Sequence, residues 1–169
     1  MIRPLRGKWN RNRYPPIRVP RGMAIPEVDP IVLDRLYRSD LRSLRQNAEQ
    51  EGISKRGSVE VLRASLIRHH VLSDLDLSWE GIQSLSNREL GDLLRIFGVK
   101  ASGSHKERRQ RIWLHITQDA NRLTVESLAA MERQKLIDLC RNLEVPSTGP
   151  RTVLMGHVAG VLTSQRRAW

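Results

Sequence analysis

One cysteine, Cys140, stands in a chain of 169 residues, so no disulfide closes within it. That leaves a reducing or redox-neutral compartment open and reads Cys140 as a small buried apolar side chain. Aromatic residues are scarce at 4%, and the hydrophobic fraction is only 39%. So little bulky apolar matter argues against one deep core and for small layered helical units. No run nears the roughly 18 apolar residues that a membrane span requires. The signatures of catalysis are missing as well: there is no Walker loop, no nucleophile elbow and no acidic cluster for two-metal work. The histidines His69, His70, His105, His115 and His157 show no zinc spacing. His69 and His70, neighbours on a helix, are expected to point in different directions. The sequence therefore predicts no catalytic residue, no cofactor, no metal and no small-molecule substrate.

Acidic residues are absent before Glu27, and there the charge of the chain concentrates. Arg3, Arg6, Lys8, Arg11, Arg13, Arg18 and Arg21 supply +7 of the formal net charge of +11, leaving +4 for everything after them. Pro4, Pro15, Pro16, Pro20 and Pro26 forbid a continuous helix over this stretch, because each lacks a donor and restricts the residue before it. An extended arm is expected, with guanidinium groups suited to phosphate and with Trp9 and Tyr14 offering faces for stacking on bases. A solubilising tail or part of an organelle-targeting sequence is the plainer reading, although a presequence is normally an amphipathic helix that these prolines interrupt. A pI near 11.1 points to a polyanionic partner, nucleic acid first and an anionic membrane surface second.

After the arm, the chain repeats itself. Gly57, Gly103 and Gly149 are spaced by 46 residues, and so are Leu44, Leu90 and Leu136. Ile53, Val99 and Val145 keep the same period, as do Leu66, Ile112 and Val158, then Ile31, Leu77 and Leu123, then Leu36, Ile82 and Leu128. The predicted organisation is an arm over 1–28, units over 29–76, 77–122 and 123–164, and a tail over 165–169. The fold class is all-α: three tandem helical repeats preceded by an extended basic arm. Each unit reads as one short helix and two longer ones, too poor in apolar surface to fold alone and stabilised by stacking on its neighbours.

Local signals place the helices. Pro30 suits a first turn, and Asp40, Ser58, Ser78 and Thr124 are expected caps. Ser86-Asn87-Arg88-Glu89 reads as a capping box. Gly52 is expected to end the second helix of its unit in the left-handed conformation, and Gly98 to stop the corresponding helix of the next. The first unit is degenerate: Asn47 and Glu51 stand where the second has Leu93 and Phe97. Trp79 and Trp113 fall in helical register and are read as core before base-stacking platforms.

The interhelical loops are the second candidate site, since free amides at helix starts receive phosphate oxygens. Lys55, Arg56 and Ser58 in the first loop, and Lys100, Ser102, Ser104, His105 and Lys106 in the second, fit that role. The third loop, Ser147-Thr148-Gly149-Pro150, has only Arg151 nearby and fits poorly. Arg108 and Arg109 extend the second set, although Arg108 occupies the register that Leu62 and Leu154 fill elsewhere. It either lays its stem across the core edge or gives up a core position to build a phosphate-facing surface. The last helix carries little charge apart from Arg151 and His157, so its outer face is a possible docking surface.

The helix pair around each loop resembles the SAP-type nucleic-acid-binding module. EGIQSLSNRELGDLLRIFGVKASG (80–103) and LTVESLAAMERQKLIDLCRNLEVPSTG (123–149) are more closely similar to the paired SAP-like helical repeats of the LETM family ribosome-binding domain. The resemblance implies an all-helical domain of the mitochondrial matrix that associates with the ribosome. Family members carry a transmembrane helix ahead of this domain; none is expected here, so ion exchange and membrane anchoring are not carried over. The expected function is a non-enzymatic RNA-binding component, or assembly factor, of a mitochondrial ribosome, with ribosomal RNA and neighbouring ribosomal proteins as partners. Two alternatives stay open: a SAP-type DNA-binding protein of chromatin or a nucleoid, and a protein–protein adaptor.

Overall fold

The computed structural model of the chain describes residue 25 and residues 28–118 and 122–165. Among these residues there are nine helices and no strand. They are α1 (Pro30–Arg38), α2 (Leu41–Gln50), α3 (Val59–His70), α4 (Trp79–Ser84), α5 (Asn87–Ile96), α6 (His105–Thr117), α7 (Val125–Ala130), α8 (Arg133–Asn142) and α9 (Arg151–Gln165).

Their boundaries recur. Helices α2, α5 and α8 each span 10 residues, and each starts 46 residues after the one before; α3, α6 and α9 start at the same interval. The short helices α1, α4 and α7 end in register at Arg38, Ser84 and Ala130, but α1 begins a turn early. That extra turn leaves Ile31 46% exposed, while Leu77, at the matching position, is buried.

Caps explain the starts. Asp29, Asp40, Ser58, Ser78, Ser86, Ser104 and Thr124 each accept a backbone N–H of the first turn through a side-chain oxygen, each cap contributing about 1 kcal/mol. Ser86 with Glu89, Ser104 with Glu107 and Thr124 with Ser127 close reciprocal boxes. Pro150 lies just outside α9 and accepts from the N–H groups of Val153 and Leu154.

The ends are as regular. The N–H groups of Ile53, Val99 and Val145 donate to the carbonyls of Ala48, Leu94 and Cys140 at 2.8, 3.0 and 3.0 Å, the six-to-one bond of a Schellman stop. The residue before each takes a left-handed turn: Gly52 (φ 70°), Gly98 (φ 69°) and Glu144 (φ 59°). A glutamate where its counterparts are glycine has a backbone cost that its side chain must offset.

Within each triplet the short helix and the second helix pack against the third. The third helices then meet in succession, α3 on α6 and α6 on α9, and make a spine. Leu44, Leu90 and Leu136 are buried to 1% exposure or less, as are Leu36, Ile82 and Leu128, and Leu66, Ile112 and Val158. Ile25, inside the stretch read as an arm, joins this core. Cys140 is buried in it, which pushes its thiol pKa up. Trp113 is core, and Trp79 is half-buried with its indole N–H donating to the Asn142 carbonyl at 3.0 Å.

Two junctions join the triplets, and both use the same three positions. At the first, the Tyr37 hydroxyl donates to the Ile96 carbonyl at 2.7 Å and the Arg63 guanidinium lies 5.1 Å from the Tyr37 ring centre. Gly98 must be glycine there, since a Cβ would sit 2.7 Å from the Tyr37 oxygen. At the second, Gln83 replaces the tyrosine, Arg109 matches Arg63, and Glu144 matches Gly98. Arg109 donates to both Glu144 oxygens at 2.7 and 2.8 Å, and Gln83 donates at 3.1 Å. Glu144 thus places a carboxylate one period after the position where Tyr37 leaves no room for a side chain.

Arg111, 4% exposed, completes the second junction. Its Nη1 donates to the carbonyls of Lys100 and Ser102, both at 2.6 Å, and its Nε donates to the Gln165 side chain at 2.9 Å. Gln165 in turn donates to the Glu107 carbonyl at 3.0 Å, and Gln110 donates to the Leu143 carbonyl at 2.7 Å. The loop before α6 is therefore pinned to the end of α9 by buried polar groups that are themselves partnered.

Candidate nucleic-acid interface

A cationic surface is built on the first triplet. Leu44 and Ala48 turn α2 toward the core, which leaves Arg42 and Arg45, three residues apart, on its exposed side. The turn after α2 brings exposed Lys55 and Arg56 up beside them. With Gln46, Glu49, Gly57 and Arg122 they line an open concave surface of about 830 Å³. Among the described residues, five cations and one acid line it. Lys55 reaches Glu49 at 3.5 Å, but both side chains are more than half exposed, and pairs of that kind contribute at most about 1 kcal/mol. A polyanion arriving there meets a field that this pair only partly offsets.

Gly57 (φ 108°) shapes the floor. A Cβ there would lie 2.6 Å from Val61 Cγ1, so a side chain collides with the first turn of α3. Ser58 caps that turn, its Oγ accepting from the Val61 N–H at 3.4 Å.

The remaining loop residues divide by what they touch. Ser104 is committed to its capping box with Glu107. The Ser102 carbonyl is held by Arg111, and His105 Nε2 lies 3.0 Å from the Leu85 carbonyl. Lys100 and Lys106 keep exposed side chains, near Glu107 and Glu144 respectively. Arg109 is engaged by Glu144, whose carboxyl is in turn held below its ordinary pKa chiefly by the hydrogen bonds from Arg109. Arg108 lays its stem across the core edge: its Nη1 donates to the Asn87 carbonyl at 2.7 Å. The guanidinium lies over Gly91, where a Cβ would come within 2.7 Å of Nη1. An arginine in a leucine register is thus accommodated by a glycine on the facing helix. In the third loop, Arg151 donates to the Ala129 carbonyl and Arg133 to the Gly149 carbonyl.

Lys55 and Arg56 therefore join one surface, to which Lys100 and Lys106 do not contribute. Arg42, Arg45 and Arg122 escaped the sequence reading. Arg42 and Arg45 had a signal, the i, i+3 spacing on the polar side of α2; Arg122 had none, since only the fold carries it to the first triplet. The arm residues Arg3, Arg6, Lys8, Trp9, Arg11, Arg13, Tyr14, Arg18 and Arg21 lie outside the described residues.

One expectation is corrected. His69 and His70 do not diverge: their rings meet edge to face with centres 4.9 Å apart, and both reach the end of α2. No described helix is long and apolar enough to cross a membrane. Compared with known proteins, the chain matches no family model, no curated protein and no solved structure.

Proposed function

We propose that this chain is a non-enzymatic RNA-binding protein, a structural component or assembly factor of a mitochondrial ribosome. The observation that carries the RNA-binding reading is the concave surface on which Arg42, Arg45, Lys55 and Arg56 gather with Glu49 as the one acid among the described lining residues. The ribosomal assignment rests on the resemblance of residues 80–103 and 123–149 to the LETM ribosome-binding repeats. In this reading the nine described helices are three copies of one SAP-like unit, and the Arg/Pro-rich arm precedes them. The array supplies shape and the arm supplies much of the charge. Binding is neutralisation of phosphates with release of their counterions, and the open concavity suits the irregular backbone of folded RNA.

The test is salt-dependent binding of the full chain to a ribosomal RNA fragment, with duplex DNA of equal length as competitor. Replacing Arg42 and Arg45 by Ala should flatten the plot of log K against log salt by about 1.5 to 2, close to one unit per lost phosphate contact. Deleting residues 1–22, which spares the core residue Ile25, should remove most of the remaining salt-sensitive affinity. Unchanged slopes in both variants would refute the proposal, and preference for the duplex would transfer it to a chromatin or nucleoid protein. Co-sedimentation with ribosomes in mitochondrial lysate tests the assignment of place.

A further inference from the structure

The ends of α2 and α3 bring together four side chains that the RNA-binding reading does not use. Glu51 Oε2 lies 3.0 Å from His69 Nε2, and Asn47 Oδ1 lies 3.2 Å from His70 Nε2. Ligand atoms of Glu51, His69 and His70 all fall within 4.8 Å of one another. We propose that Glu51, His69 and His70, with Asn47 beside them, form a site for a divalent transition metal of the zinc class.

Three physical arguments meet here. The first is ligand chemistry: two imidazoles and a carboxylate are the donors that zinc accepts, at about 2.0–2.2 Å. Tetrahedral geometry at that radius sets neighbouring donors about 3.3 Å apart. The Glu51–His69 pair is already that close, and the exposed His70 needs only side-chain rotation to join it. The second is the local field. Both helices end here, and the negative end of each helix dipole favours a cation. No lysine or arginine lies in their last turns except Arg68.

The third argument comes from the matching positions one and two periods on. Asn47 corresponds to Leu93 and Leu139, Glu51 to Phe97 and Leu143, and His69 to His115 and Val161. In the later triplets these positions close the second helix onto the third by apolar contact. Leu93, Phe97, Leu139, Leu143 and Val161 are all buried, and the Phe97 ring meets His115 edge to face at 5.5 Å. The first triplet has exchanged that contact for oxygen and nitrogen donors aimed at one another. A polar outer face alone would serve solubility at the end of an array. It would not require two imidazoles and a carboxylate to converge. A bound metal restores, by coordination, the closure that Leu and Phe supply elsewhere, and clamps the pair of helices that carries the basic concavity.

The experiment uses the full chain at a fixed pH of about 7.5, since metal affinity varies with pH. Zn²⁺ is titrated by calorimetry and by thermal melting, alongside Mg²⁺ and the variants Glu51→Ala, His69→Ala, His70→Ala and His157→Ala. The expected result is saturable binding of one Zn²⁺ and a rise in Tm. Affinity should fall by more than about tenfold in each of the first three variants, since even supporting residues of metal sites cost that much. His157→Ala should bind like the parent, and Mg²⁺, which seeks oxygen donors, should have no effect. Absence of one-to-one binding by the parent chain overturns the proposal whatever the variants do. So does Zn²⁺ binding that survives loss of either His69 or His70, or an equal response to Mg²⁺. Co²⁺ in place of Zn²⁺ provides a second readout, with visible absorption that His70→Ala should alter.

Discussion

Glu144 invites a decisive substitution, because two opposing effects meet in one residue. Its backbone sits at φ 59°, where glycine is preferred, while its carboxylate takes two hydrogen bonds from Arg109 and one from Gln83. The Arg109 and Glu144 side chains are 17% and 21% exposed. Exposed pairs give up to about 1 kcal/mol, and breaking a fully buried pair costs about 3 to 5 kcal/mol. A two-pronged pair at this depth should therefore contribute about 2 kcal/mol. Releasing the left-handed strain with glycine returns about 1 kcal/mol. Glu144→Ala keeps the strain and loses the pair, so it should cost about 2 kcal/mol, or about 4–8 °C in Tm for a chain of this size. Glu144→Gly should cost half as much.

The assay is urea or thermal unfolding of the parent, Glu144→Ala, Glu144→Gly and Glu144→Gln across pH. Arg109 holds the Glu144 carboxyl below its ordinary pKa. A folded-state pKa lower than the unfolded one stabilises the fold above the unfolded value and loses that effect as pH falls through the folded one. The margin of the parent over Glu144→Gln should thus be full at neutral pH and vanish well below about pH 4. If Glu144→Gly matches or exceeds the parent at pH 7, the carboxylate does not offset its backbone, and the account of the second junction fails.

Gly156 and Gly160 on α9 have no atom within 4 Å of where a Cβ would stand; replacing either by Ala should add about 1 kcal/mol through helix propensity, and an unchanged Tm would count against α9 as drawn. Gly81→Ala should be severely destabilising, because its Cβ would fall 2.1 Å from the Asp76 carbonyl oxygen; forced overpacking of this kind costs about 1–3 kcal/mol or more, and near-parental urea stability would contradict it. Arg111→Met should cost about 3 kcal/mol by stranding the Lys100 and Ser102 carbonyls and the Gln165 side chain; hydrogen exchange should then quicken in both the 100–102 loop and the end of α9, and quickening in only one would break the proposed link.

What could be read in advance was what short-range chemistry decides. Asp40, Ser58, Ser78, Ser86 and Thr124 cap where serine, threonine and aspartate ahead of an apolar stripe should, because a cap involves only the next three residues. The left-handed stops at Gly52 and Gly98 are local for the same reason. Partners far apart in the chain were out of reach. Arg109 finds Glu144 across 35 residues, Arg111 finds Gln165 across 54, and His69 finds Glu51 across 18. No periodicity encodes such pairs; the first two depend on how the second triplet stacks on the third, and the last on how α2 packs on α3. Arg108 shows the boundary between the two regimes. Its leucine register was plain from the spacing, but which of its two fates it took depended on Gly91, a position whose meaning appears only when α5 and α6 are packed.

The two junctions also impose an order. Tyr37 with Arg63 requires a partner lacking a side chain at Gly98, whereas Gln83 with Arg109 requires the carboxylate of Glu144. Exchange the surfaces and one seam would drive an acid into a phenol, while the other would strand a guanidinium over bare backbone. Near-identical bricks could assemble in any sequence; these are keyed, so that each accepts only its rightful successor.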